Sequence, residues 1–159
     1  MKVIIADSST LITLLDTKHF SLLFELFTQI CIAEEVYLEI TYKYKHKKII
    51  DKYLSLKKLQ RHTVTHNDSY EMLSKRLDKG EVESIVLAQN MHCPLIIDER
   101  KGRSIAKSMG IDIIGLIGII LKLLEKSIID KQKAIHIIEA VEKNDFRLSN
   151  GLKEMVYSY

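Results

Sequence analysis

Met1-Lys-Val-Ile-Ile-Ala-Asp-Ser-Ser-Thr10 is the stretch whose reading decides the fold. Val3, Ile4, Ile5 and Ala6 form an apolar run, mostly β-branched and without alternation. Such a run suits a strand covered on both faces, as in the middle of a parallel sheet. Asp7 stops it, and Ser8-Ser9 then offers a helix N-cap before Leu11, Ile12, Leu14 and Leu15. Open α/β sheets bind ligands at the carboxyl ends of their strands, so Asp7 stands where chemistry is normally found. The plainer account is that Asp7 only helps to cap the helix.

Pro94-Leu-Ile-Ile-Asp98 repeats the pattern, an apolar run ended by a carboxylate. Between the two lie a helix over Phe20–Phe27, a strand over Gln29–Ala33, and a helix opened by Glu34-Glu35. A further helix carries Ile49 to Leu56, Leu59 to Thr65 reads as a strand, and helices follow over Asn67–Leu77 and Gly80–Met91. After Asp98 come a helix over Ser104–Met109, a short strand over Gly110–Ile114, and helical spacing over Leu116–Leu124, Ala134–Val141 and Leu152–Tyr157. This alternation specifies an α/β fold, a three-layer α/β/α sandwich with a mainly parallel central sheet. With no repeat or linker in view, residues 1–159 are expected to form a single domain.

A chain of 159 residues that is 47% hydrophobic and 28% charged, with one proline, can bury a real core and is not disordered. Net charge is +3 and the sequence pI about 8.7, which permits a nucleic-acid partner without demanding one. Cys31 and Cys93 lie in apolar runs without C-x-x-C spacing and fit buried thiols in a reducing compartment. Lys2 leads straight into a strand rather than a leader sequence. The longest apolar stretch, Ile113 to Leu121, is broken by Gly115 and Gly118 and falls short of the roughly 20 residues a membrane span needs. A cytoplasmic protein with no membrane contact is expected.

Four places put acids at one likely sheet edge: Asp7, Glu39, Glu81 with Glu83, and Asp98 with Glu99. Glu39 lies past the first turn of its helix, so the helix dipole does not account for it. Carboxylates brought together repel unless some are protonated or a cation sits among them. Oxygen-only ligands suit Mg²⁺ or Mn²⁺ rather than zinc, and such an ion can activate water against a phosphodiester. Each acid also has an ordinary structural explanation as a cap or a dipole partner.

Two other features are weaker. Tyr42-Lys-Tyr-Lys-His-Lys-Lys48 could contact phosphates and stack on bases, though a solvated helix face is the simpler account. His62 and His66, four residues apart on a strand, would stand about 13 Å apart, too far to share one zinc ion.

These pieces together resemble the PIN domains, in particular a PIN-like branch of formerly unknown function related to VapC-type toxins. The resemblance is carried by Val3-Ile-Ile-Ala-Asp-Ser-Ser9, Ala33-Glu-Glu-Val-Tyr-Leu-Glu39 and Gly80-Glu-Val-Glu83 leading to Ala88. It continues through Leu95-Ile-Ile-Asp-Glu-Arg100 with Gly102-Arg103, Gly110 to Gly118, and Phe146-Arg-Leu-Ser149. It implies a Mg²⁺- or Mn²⁺-dependent ribonuclease, the toxin of a toxin–antitoxin pair. Asp7, Glu39, Glu81 and Asp98 or Glu99 would be the catalytic, metal-binding acids, with Ser9 in support. It also implies an RNA substrate, a small antitoxin partner and a homodimer.

Two positions depart from the family pattern. Glu81 stands where an aspartate is usual, one methylene longer, with Glu83 as a neighbour that could compensate. Ala33 replaces the usual proline. Arg100, Lys101 and Arg103 lie just beyond the acids, in a first turn where the dipole disfavours cations, and read as contacts to the RNA backbone. The competing reading is a PIN-like module that binds RNA or protein without cutting it.

Overall fold

Parallel pairing joins β1 (Val3–Ala6), β2 (Gln29–Ala33), β3 (Leu59–His62), β4 (Leu95–Ile96) and β5 (Ile113–Ile114) in the order β3-β2-β1-β4-β5. The computed structural model describes residues 2–159. At the centre Ile5 faces Cys31 on one side and Leu95 on the other. Ile4, Ile5 and Ala6 are buried because helices cover both faces of the sheet, as the unalternating run required. Burying each such isoleucine contributes about 1.5–3 kcal/mol.

The chain leaves β1 for β2 and β3 on one side, then returns across the sheet to β4 and β5 on the other. Right-handed crossovers in opposite directions place helices on opposite faces, which gives the three layers. The order reverses between β1 and β4, and it is beyond the carboxyl ends of the strands at such a reversal that open α/β sheets leave a crevice.

The helices are α1 (Ser8–Asp16), α2 (Leu23–Leu26), α3 (Glu34–Ile40), α4 (Tyr44–Ser55), α5 (Asp68–Ser74), α6 (Lys79–Met91), α7 (Arg100–Ser108), α8 (Leu116–Glu125), α9 (Lys131–Lys143) and α10 (Asn150–Tyr157). α6 is buried along Gly80 to Ala88, and Val82, Ile85 and Val86 are fully buried where it packs on β1 and β2 and against α3, α5 and α7. α8 turns Leu116, Ile120, Leu123 and Leu124 into the core beside β5, α2, α9 and α10. Truncating Ile120 to alanine would cost about 2–5 kcal/mol.

Some boundaries differ from those read in sequence. The helix over Phe20–Phe27 is a 3-10 turn, Phe20–Leu22, running into the single turn of α2. β3 ends at His62 instead of Thr65, because it pairs on one side only, with β2. α7 begins at Arg100, four residues before Ser104, since the Glu99 side chain caps it by accepting from the Lys101 and Gly102 N–H groups. The N-cap of α1 is Asp7, and Ser8 and Ser9 lie inside the helix. His62 meets Gln60 while His66 stacks on Tyr70, so the two histidines serve separate contacts. Burial pushes the Cys31 thiol up to about 11, which leaves it inert. Among the described residues no helix is long and apolar enough to cross a membrane.

Candidate active site

Every acid singled out in the sequence lies around the β1/β4 crevice or on a helix that opens beside it. Asp7 follows β1, Glu39 rides on α3 after β2, Glu81 and Glu83 lie in the first two turns of α6, and Asp98 and Glu99 follow β4. The structure handles them in three different ways.

Asp7, Glu39 and Glu81 form the inner group. Asp7 occupies the N-cap position of α1 but makes no capping hydrogen bond, and its Oδ1 is buried without a partner. A mere cap is therefore not what this side chain is. Glu39 accepts a hydrogen bond from Ser8 Oγ at 3.1 Å through Oε2, and its Oε1 is also buried and unpartnered. Glu81 is buried, and no donor reaches its Oε2. Buried polar atoms are nearly always satisfied, so three unsatisfied carboxylate oxygens in one crevice need an explanation.

The same crowding moves the protons. Burial raises Asp7 to about 6, with Asp78, Glu99 and Asp98 adding repulsion and the Ser8 N–H partly offsetting it. Burial raises Glu39 to about 7 despite the Ser8 hydroxyl, helped by Asp7, Asp78 and Glu35. Glu81 is also pushed up, by burial and then by the carboxyls of Asp78 and Glu99 that lie against it. Glu99 loses some hydration, yet it sits below the ordinary range because the Gly102 and Lys101 N–H groups and Glu81 donate to it. Glu81 and Glu99 thus lie against each other with opposite tendencies, Glu81 toward the protonated form and Glu99 toward the ionised one.

Asp98 is turned elsewhere. Its carboxylate accepts from the Leu116 N–H at 3.0 and 3.1 Å and from Thr10 Oγ1, with the Arg103 guanidinium alongside. It ties α1, α7 and the start of α8 together. The sequence left Asp98 and Glu99 as alternatives for the last acid, and Glu99 is the one beside Glu81. Glu83 also points away: its Oε1 accepts from the Glu35 N–H at 3.1 Å, at the start of α3.

Ser9, expected to support Asp7, has its hydroxyl buried without a partner, and the hydroxyl that reaches an acid is that of Ser8. Of the three cations, Arg100 and Lys101 are exposed in the first turn of α7. Arg103 is half-buried and donates from Nη1 to the Ile97 carbonyl at 2.7 Å, so it serves the fold beside Asp98.

Sequence reasoning missed Asp78. It caps α6 by accepting from the Glu81 N–H at 2.9 Å, and its charge reaches Asp7, Glu39 and Glu81. The signal was present in the spacing Asp78-Lys-Gly-Glu81, a capping-box pattern. Also missed were glycines that make room for acids. A Cβ on Gly80 would lie 2.0 Å from Glu39 Oε1, and one on Gly102 would lie 3.0 Å from Glu81 Oε2.

A family model described as a PIN domain, DUF3368, matches residues 3–158, nearly the full chain. This chain is a PIN domain. PIN domains are in general a nuclease-type fold, in keeping with an acidic crevice at the carboxyl edge of the sheet. No curated protein matches the chain. Among solved structures, a PilT N-terminus domain protein from the hyperthermophilic archaeon Sulfolobus solfataricus is similar at a TM-score of 0.52 and 18% identity. That likeness covers 79% of this PIN domain and 95% of the archaeal chain, and it concerns the fold alone.

The acids of this PIN domain suit a hard divalent cation by chemistry, since the donors are all oxygen and three of them lack any partner. As they stand, no three His, Cys, Asp or Glu side chains among the described residues form a ready metal-ligand set.

Proposed function

We propose that this PIN domain hydrolyses RNA phosphodiester bonds with a divalent cation, Mg²⁺ or Mn²⁺, held by Asp7, Glu39, Glu81 and Glu99. The observation that carries the reading is the trio of buried, unpartnered oxygens on Asp7, Glu39 and Glu81, contributed by three separate segments at the β1/β4 switch. When bound, such a cation polarises a phosphoryl oxygen and lowers the pKa of an attacking water. The chain's own residues prepare the place. Ser8 fixes the orientation of Glu39 by donating to its Oε2. Asp98, bonded to Thr10 and Leu116, holds the supporting helices in register. Arg100 and Lys101, exposed at the rim, are placed to meet the phosphate backbone.

The test is cleavage of single-stranded and hairpin RNA by wild type and Asp7→Asn, with Mg²⁺, with Mn²⁺ and with EDTA. Wild type should cut only with the cation, and Asp7→Asn should lose at least about 10²-fold in rate while remaining folded. No cleavage by wild type under any of these conditions would sink the proposal.

One observation favours a second reading. Among the described residues no three acids stand ready as a metal-ligand set, which suits a module that binds without cutting. Glu81→Asp separates the two: a nuclease hampered by the longer arm gains rate, whereas a binding module stays silent. The resemblance to VapC-type toxins supports a further part of the proposal, a toxic homodimer held silent in the cytoplasm by a small antitoxin. Growth arrest on induction of wild type but not of Asp7→Asn would test it.

A further inference from the structure

Tyr42-Lys-Tyr-Lys-His-Lys-Lys48 is the one motif that the carboxylate crevice does not absorb, and in the structure it is not simply a solvated face. Tyr42 is 90% exposed and Tyr44 73%, whereas the other internal tyrosines, Tyr37, Tyr53 and Tyr70, are packed into the fold. The segment beneath the two free rings is firmly tied down. His46 is buried with Nε2 3.0 Å from Asp16 Oδ1, and Lys43 lies 3.4 Å from the same oxygen. Further along α4, Asp51 accepts from the Tyr37 hydroxyl at 3.1 Å and from Lys47. Two aromatic faces left in water and four lysines against the two aspartates, Asp16 and Asp51, make a cationic surface with stacking planes.

The surface adjoins the crevice. Tyr42 is three residues beyond Glu39, which limits their Cα separation to about 11 Å. Asp16, which gathers Lys43, Lys45 and His46, ends the helix that Asp7 begins, about 13 Å away along its axis. A strand lying on the tyrosines would therefore reach the acids with a short span.

We propose that Tyr42 and Tyr44, flanked by Lys43, Lys45, Lys47 and Lys48, form a stacking platform for unpaired bases, and that the RNA taken by this domain is single-stranded there. Stacked bases in a duplex have no free face to offer, while lysines alone would bind either form. The inference rests on the ribonuclease reading for its substrate, but binding can be measured without cleavage.

The experiment is fluorescence anisotropy with a labelled single-stranded RNA of about 12 nucleotides and the corresponding duplex, in EDTA. Wild type should prefer the single strand. The double variant Tyr42→Ala/Tyr44→Ala should weaken single-strand binding about 10–100-fold, as the loss of stacking under one or two bases requires. Tyr42→Phe/Tyr44→Phe keeps both rings and should bind within about twofold of wild type. Unchanged binding by the alanine pair, or equal affinity for duplex, overturns the platform. A change in sedimentation of the alanine pair with RNA binding intact also overturns it, by showing that the rings meet protein. Tyrosine-dependent binding without cleavage by any form upholds the platform and removes the nuclease, and cleavage indifferent to the alanine pair does the reverse.

Discussion

Asp98, after β4, and Glu81, near the start of α6, are treated in opposite ways. On the β5 side, the Asp98 carboxylate is fully engaged by the Leu116 N–H and Thr10, with Arg103 beside it. On the β2 side, Asp7, Glu39 and Glu81 each keep a buried oxygen with no partner. Burying charge is costly on both sides, but only on the first does the protein supply its own compensation. A satisfied acid is part of the scaffold. An unsatisfied one is where the proposed cation would find its ligands.

The comparison breaks if the two sides respond alike to substitution. The largest effect is expected at Asp98. Asp98→Ala strands Thr10, the Leu116 N–H and Arg103, and should cost about 2–4 kcal/mol by denaturant unfolding. Stability unchanged by this variant would mean that the β5 side is no scaffold. Next is Gly80→Ala, which places a Cβ where Glu39 Oε1 now sits. Helix propensity alone favours alanine, so stability should hold while RNA cleavage falls about 10–100-fold. Cleavage that matches wild type would show that Glu39 need not approach α6.

A pH series sharpens the contrast. Asp7 is raised from 3.8 to about 6, so the folded state holds its proton more tightly and loses stability as pH rises through that window. Asp7→Asn carries no such charge. It should match wild type below about pH 3 and be more stable by about 3 kcal/mol above pH 7, with the gap opening between the two values. Added Mn²⁺ should narrow the gap by stabilising wild type alone, as thermal melts would record. A constant gap at all pH values would show that Asp7 is not held as described. The smallest effect is expected for Thr10→Val, which removes one hydroxyl from Asp98 and should cost about 1 kcal/mol.

The runs Val3–Ala6 and Leu95–Ile97, each closed by a carboxylate, were legible as buried strands because burial on both faces leaves a simple compositional trace. The partners of individual oxygens leave none. Asp98 and Glu99 are adjacent in the chain, yet one turns to Leu116 and the other to the start of α7 and Glu81. That choice depends on where α8 begins, eighteen residues away from Asp98. Ser8 and Ser9 were equally hidden, since one step along a helix rotates a side chain by about 100°, enough to exchange Glu39 for a different neighbour. Asp78 could have been found from its capping-box spacing, but an exposed loop residue before a glycine reads as an ordinary turn.

The reversal of strand order between β1 and β4 carries a consequence for synthesis. Asp7 leaves the ribosome before its counterparts at 81 and 99, which follow it by 74 and 92 residues. The sheet cannot bring them together until β4 slots in beside β1. A truncated or stalled product ending before Glu99 therefore lacks part of the acidic set, which is complete only once the fourth strand is in place.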